Sequence, residues 1–422
     1  MSPMCPTNFR RLPSVFWGVI LTISPEWILQ GIDMDLIKAK IEQAIDILNE
    51  LDIDLWLIFC RESSMMADPA LDLVVGHKVV WQSAFFISRT GDTLALVGNF
   101  DAADFEKSRR FGTVQPYVED CGKEIKRVVK KFNPGKLALN YSVNDIAADG
   151  LSHGMYLLLL EYLKGTPYPE RIVSSEPIIY LLRGRKIPQE ISLISAAAFM
   201  ATDCWRESIG QIKTGLTEME IAGIIDANIR KLGGVNSFDT IVNAGAKTSP
   251  GHGHPTEAVL EPGDLLHIDF GARVEGFCSD IQRLAYFKRA NESRAPAVLT
   301  KAFNKIRSII DETSKLYKPG VKGFTIDAAA RKMLTDDGYP EYQHALGHQI
   351  GRSVHDGAAI VGPKWKRYGV TPKIPLEENN AFTVELGIEL EGIGYVGLEE
   401  DLAVTQNGGK FLCPRQTELI VI

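Results

Sequence analysis

Between residues 269 and 399 the chain places four carboxylates and one imidazole inside apolar, strand-like frames. These are Asp269 in Asp269-Phe-Gly-Ala, Asp280 in Ser279-Asp280-Ile-Gln-Arg283, His348 in Gly347-His348-Gln-Ile-Gly351, Glu385 in Thr383-Val-Glu385-Leu-Gly387 and Glu399 in Leu398-Glu399-Glu-Asp401. Apolar flanks imply burial, and a buried cluster of carboxylates is costly unless a cation neutralises it. Any fold this chain adopts has to satisfy that demand. Hard oxygen donors with one nitrogen suit Mn, Co, Fe or Zn in a two-ion site, where bridging carboxylates hold the ions roughly 3.5–4 Å apart. Such a pair generates a metal-bridging hydroxide near neutral pH, which predicts a hydrolase.

The rest of the chain is compatible with that demand and removes some other functions. A length of 422 residues suggests two or three domains, and 45% hydrophobic with 23% charged residues is ordinary globular composition. The net charge of −7 argues against a nucleic-acid or anionic-membrane partner. The six cysteines are scattered without a C-x-x-C pair, as expected of reduced thiols in a cytoplasmic protein. Residues 1–33 form an extension of uncertain status. Arg10-Arg11 precede an apolar run, Val15 to Ile23, too short to span a bilayer and not followed by a small-x-small cleavage site. A signal core, a packed extension and a start near Met34 all stay open. No phosphate-binding glycine loop and no G-x-S-x-G nucleophile elbow is present.

Periodicity divides the chain beyond residue 34. Ile37, Ile41, Ile45, Leu48 and Leu51 make a helical stripe over 35–51. Strands are expected at 54–59, 80–87 and 93–98, the last two joined by an Arg89-Thr-Gly-Asp92 turn. Helices are expected at 122–132 and 144–164 around a strand at 136–139. Residues 34–183 therefore read as an α/β domain, and the basic, Gly- and Pro-marked stretch from Tyr180 to Pro188 as its boundary. A second domain over 186–422 opens with helices near 188–212 and 217–232, the latter with a Thr217-x-x-Glu220 capping box. Further helices fit 295–317 and 324–337, and strands fit 381–390 and 393–405. Asp269 and Asp280 are read onto adjacent strands joined by a hairpin around Val274-Glu-Gly276.

The five frames, in this order, resemble the pita-bread metallopeptidase family that includes methionine aminopeptidase, aminopeptidase P, prolidase and creatinase. His252, ahead of Gly263-Asp264, and His355, seven residues after His348, match two more family positions, and His344 a third. The fourteen-residue gap from Glu385 to Glu399 is similar to the prolidase and aminopeptidase P branch. The resemblance implies a creatinase-like amino-terminal α/β domain and a pita-bread domain with a curved antiparallel sheet and outer helices. It implies two divalent ions per chain on Asp269, Asp280, His348, Glu385 and Glu399, with Asp280 and Glu399 bridging. Glu385 would also take a proton from the bridging water, while His252 and His355 would donate hydrogen bonds to the scissile carbonyl and His344 would line the pocket. The activity implied is Xaa-Pro dipeptidase or aminopeptidase action on a short peptide, with a homodimer as the expected assembly. A creatinase-like hydrolase or lyase of a small amide is the alternative. A non-catalytic relative would have lost ligands, and all five stand here.

Four positions depart from the family pattern. Gln282 replaces a threonine beside a ligand, Gly397 an arginine two residues before Glu399, Leu386 a proline and Asp356 a glutamate. The missing arginine leaves the recognition of a substrate carboxylate to another base, for which Arg352 and Lys366 are candidates. His254 and His267 have no counterpart and read as ordinary structural histidines.

Overall fold

The computed structural model describes residues 35–247 and 254–422. The extension over 1–33 and His252 lie outside the described residues.

Helix α1 (Leu36–Glu50) starts where the Asp35 side chain accepts hydrogen bonds from the Ile37 and Lys38 amides, and it buries Ile37, Ile41, Ile47 and Leu48. It packs on a six-stranded mixed sheet made of β1 (Leu55–Cys60), β2 (Ser83–Ser88), β3 (Thr93–Gly98), β4 (Thr113–Tyr117), β5 (Leu137–Leu139) and β6 (Ile172–Ser174), in the order β4-β3-β2-β1-β5-β6. Between the strands run α2 (Ala102–Ser108), α3 (Gly122–Phe132) and α4 (His153–Tyr162), and α5 (Glu176–Gly184) comes after the last one. Alternate side chains of β1 serve opposite faces: Trp56 and Ile58 join a core with α1 and α5, while Leu55, Leu57 and Phe59 join one under α3 and α4. The helix expected over 144–164 begins only at His153. Upstream, Asp145 caps a single short turn at Ile146–Ala148 instead, and Gly150 presses against the Asp68 carboxylate. Ser152 then caps α4 by accepting from the Met155 amide.

Helices α6 (Pro188–Ile209) and α7 (Glu218–Lys231) open the second half, α7 through the expected Thr217–Glu220 capping box. Its strands are β7 (Val235–Asn236), β8 (Ile241–Ala244), β9 (Leu265–Phe270), β10 (Ala272–Val274), β11 (Phe277–Cys278) and β12 (Ile281–Tyr286). After α8 (Ala297–Ser314) and α9 (Gly323–Thr335) come β13 (Gly347–His348), β14 (Ile360–Val361), β15 (Ala381–Leu390), β16 (Gly394–Thr405), β17 (Gly408–Phe411) and β18 (Ile420–Val421). The central sheet runs β15-β16-β12-β9-β8, antiparallel throughout, with β17 and β18 attached to β16 and β12. It curls into a half barrel. Helices α6 and α7 cover Ile268, Phe270 and Ile281 from outside, and α8 and α9 cover Val384, Leu386 and Leu398. The hairpin between β9 and β12 is not one ladder: β10 and β11 bend away to pair with each other, β10 also with β7, leaving Asp280 just ahead of β12. Among the described residues no helix is long and apolar enough to cross a membrane, and the five cysteines are free and buried.

Candidate metal centre and substrate cavity

One rung of the curled sheet organises the site. Asp269 on β9 stands opposite Gln282 on β12, Gln282 opposite Glu399 on β16, and Glu399 opposite Glu385 on β15. Directly opposed residues share a face, so four strands present three carboxylates and an amide in one row. Asp280, two residues before Gln282, keeps the same parity, and its amide donates to Asp401 Oδ2 at 3.1 Å. Glu400 points to the other face, where its carboxylate pairs with the buried Arg283 at 3.0 Å.

His348 closes the row from β13. The strand can approach only because residue 347 has no side chain: a Cβ there would run into the Thr383 carbonyl oxygen. The His348 amide donates to Thr383 Oγ1 at 3.2 Å, and Nδ1 lies 3.3 Å from the Gln349 carbonyl. That leaves Nε2 facing the carboxylates, 3.6 Å from Asp280 Oδ2 and 4.0 Å from Glu399 Oε1. One ligand atom from each of Asp280, His348 and Glu399 lies within 4.8 Å of the others.

The electrostatics show what this row lacks. Burial pushes the Asp269 carboxyl up to about 7, and burial together with the Asp269 charge pushes Glu385 up to about 8. Asp280 and Glu399 are raised as well, by burial first and by the surrounding carboxylates second. Oδ1 of Asp269 and Oδ1 of Asp280 are buried with no hydrogen-bond partner among the described residues. Orphaned, desolvated carboxylate oxygens beside an imidazole nitrogen fit a divalent cation of the Mn, Co, Fe or Zn type.

The row forms the floor of a cavity of about 770 Å³, within the range of small-ligand sites. His355 and His344 both line it, from exposed positions. The His355 ring stands 4.3 Å from that of His348, and His344 lies 5.7 Å from Tyr342. His267 also lines the cavity, fully buried, and burial drives its ring down to about 4, so it is neutral. It is part of the floor rather than an ordinary strand histidine. His254 is exposed, 3.9 Å from Asp239.

Arg352 and Lys366 do not line the cavity; Arg352 is turned inward over the Phe277 ring at 4.7 Å. Arg367 lines an adjoining shallow hollow that shares Gln343 and His344 with the cavity, stacked on Trp365 at 4.6 Å and donating to the Gln343 carbonyl at 2.7 Å. Tyr342 and Tyr395 are further members that sequence reasoning passed over: both line the cavity, and burial together with the nearby Glu385 charge pushes the Tyr342 hydroxyl up. Parity could have found Tyr395, which is four residues before Glu399 on the same strand face.

Comparison with known proteins gives this site its family. The description Metallopeptidase family M24 matches residues 192–406, which hold all five carboxylate and histidine frames. The chain belongs to metallopeptidase family M24. The M24 chain is 26% identical over 395 residues to the Xaa-Pro dipeptidase of Pyrococcus horikoshii, covering 92% of this chain and 100% of that one. It is 31% identical over 283 residues to the Xaa-Pro dipeptidase of Lactobacillus helveticus, covering 66% and 72%. Its structure is similar to that of an Xaa-Pro dipeptidase from Bacillus anthracis, with a TM-score of 0.74 at 25% identity over 92% of this chain and 100% of that chain. An X-Pro aminopeptidase from Thermotoga maritima gives 0.70 at 26%, over 90% and 99%. The curled sheet with outer helices is the pita-bread fold, and the M24 chain is a hydrolase of the metallopeptidase class.

Proposed function

We propose that this chain is an Xaa-Pro-type peptidase that hydrolyses a peptide bond near an amino terminus with two divalent ions bound. The observation that carries this reading is the rung of Asp269, Glu399 and Glu385 facing His348 and Asp280 on a cavity floor. The likeness to proteins named Xaa-Pro dipeptidase and X-Pro aminopeptidase over nine tenths of the chain supports the substrate class.

Asp269, Asp280, His348, Glu385 and Glu399 would hold the ions. Bound there, the ions neutralise the carboxylates, polarise the scissile carbonyl and make a water acidic enough to lose its proton near neutral pH. One oxygen of Glu385 would take that proton; its Oε2 lies 3.4 Å from the Gln282 amide nitrogen. His355 donates a hydrogen bond to the carbonyl oxygen as it gains charge, and His252 is assigned the same task. His344 bounds the substrate at the cavity wall. The expected homodimer and cytoplasmic location belong to the same reading and are checked by light scattering and cell fractionation.

The test is a panel of Ala-Pro, Ala-Pro-Ala and matching peptides without proline, offered to protein reconstituted with Mn or Co. Cleavage confined to dipeptides marks a prolidase, and cleavage of tripeptides marks an aminopeptidase. Equal cleavage of peptides without proline, or of none, overturns the proposal.

A further inference from the structure

Gln282 occupies the middle of the carboxylate rung without being a ligand-type residue. Its amide nitrogen lies 2.8 Å from Glu399 Oε2 and 3.4 Å from Glu385 Oε2. Ligand carboxylates accept hydrogen bonds, so the nitrogen end of the amide faces them and the oxygen end faces away. That oxygen lies 3.0 Å from His267 Nε2, which therefore carries the hydrogen and donates. The other ring nitrogen, Nδ1, lies 3.0 Å from Asn243 Nδ2, which donates to it. The network fixes the tautomer: Nε2 protonated, Nδ1 bare. Every hydrogen in the chain points the same way, from Asn243 through His267 and Gln282 to Glu399.

The space for this chain is made by Gly397. A Cβ at that position would lie 2.6 Å from Gln282 Oε1 and 3.0 Å from His267 Nε2, and closer still to the Tyr395 ring. Tyr395 in turn packs edge-on against the His267 ring, centroids 5.1 Å apart. Asn243, His267 and Gln282 are all buried, so each polar atom of the relay depends on its neighbour for a partner. The glutamine and the glycine are thus one arrangement, since a side chain at 397 and a long amide at 282 compete for the same volume.

We infer that Asn243, His267 and Gln282 form a one-way hydrogen-bond relay that positions the Glu399 and Glu385 carboxylates toward the metal centre, with Gly397 admitting it. The inference rests on the reading of those two glutamates as ligands. Gln282, His267 and Asn243 are positioning residues. Buried partners that orient a ligand commonly account for about 10- to 100-fold in metal affinity.

The experiment uses the full chain, stripped of metal and titrated with Co(II). Gln282→Met keeps length and volume but cannot donate. It is expected to weaken Co(II) binding by about 10- to 100-fold and to alter the visible Co(II) spectrum. His267→Phe is expected to weaken it by a similar factor, and the double variant by no more than Gln282→Met alone. His267→Gln, which keeps a donor, is expected to recover part of the affinity. Wild-type affinity and spectrum in Gln282→Met, or strict additivity in the double variant, overturns the relay. A second measurement needs neither metal nor variant stability. In ¹⁵N-histidine-labelled, metal-free protein at neutral pH, the His267 ring is expected as the Nε2-protonated tautomer; the opposite tautomer or an imidazolium overturns the inference. If wild-type protein bound no Co(II), the proposed function would fail, while the ring tautomer would still report on the relay.

Discussion

His355 stands ring to ring with His348 at the exposed lip of the cavity, close to the centre but facing solvent. It is not itself one of the carboxylates or the amide of the rung. His355→Ala is expected to keep its metal and lose about 10²–10³ in kcat, the size of one lost oxyanion donor. Metal analysis and kinetics on the same sample check it, and full activity removes His355 from the mechanism. Asp280→Ala acts on the other side of that division. Its Oδ1 is an orphaned buried oxygen and its Oδ2 faces His348 Nε2, so this variant is expected to retain no bound metal after dialysis. Substrate choice is a residue matter as well. The volume at Gly397 is filled by Tyr395 and Gln282, so no cation faces the rung from there. A charge-assisted hydrogen bond to a substrate carboxylate, worth about 1.5–3 kcal/mol, is missing at that point. Ala-Pro and Ala-Pro-amide are therefore expected to differ little in kcat/KM. A hundredfold preference for the free acid would reveal a clamp elsewhere, and Arg367→Ala would show whether the guanidinium in the adjoining hollow supplies it.

The loop from Gly351 to Gly357, which carries His355, is anchored from behind. Asp356 is buried between Lys186, 2.9 Å from its Oδ2, and Arg183, which contacts its Oδ1. Burial alone would raise this carboxyl, but the Lys186 and Arg183 charges overcome that and hold it at about 2. The folded value lies below the unfolded one of about 3.9. Stability from this group is therefore complete above about pH 4 and is lost as the pH falls toward about 2. Lys186→Met removes one of the two cations and leaves Asp356 to Arg183 alone. It is expected to cost about 1.5–3 kcal/mol, the size of one hydrogen bond to a charged group, read as a lower urea midpoint at unchanged slope. These basic residues also show where the sequence was hard to read. Arg183-Gly-Arg-Lys186 has the composition of an exposed linker, yet α5 runs through Gly184, Arg185 bonds to Glu50 and Glu377, and the other two reach Asp356. Nothing local marks a partner that lies 170 residues further on. Where the information is local, as in the Thr217–Glu220 capping box or the Ile37–Leu48 stripe, helix limits were legible to within a few residues. The rung was half legible. The carboxylate and histidine frames stand out because charge among apolar residues is rare, but that Gln282, His267 and Gly397 touch depends on pairing between distant strands.

For the molecule as a whole, Asp269, Asp280, Glu385 and Glu399 are four buried carboxyls whose charged forms burial disfavours and a bound cation would favour. Two divalent ions per chain are expected from elemental analysis after Mn or Co reconstitution and gel filtration, and a metal-free product would remove the proposed mechanism. Ligand binding to the folded state alone raises its stability by mass action, so the melting temperature is expected to climb with free metal concentration. The continuous ladder from Ala381 opposite Ala403 to Leu390 opposite Gly394 also governs how this protein tolerates changes in length. Side chains alternate between the two faces, so one residue inserted between Glu385 and Leu390 breaks the count that sets Glu385 against Glu399 or forces a bulge. The tip at Glu391–Ile393 lies beyond the last pair, and extra residues there leave the rung untouched. A scan of single-residue insertions along 381–405 should thus recover active protein from the tip and almost none from within either strand, even where substitutions at the same positions are harmless.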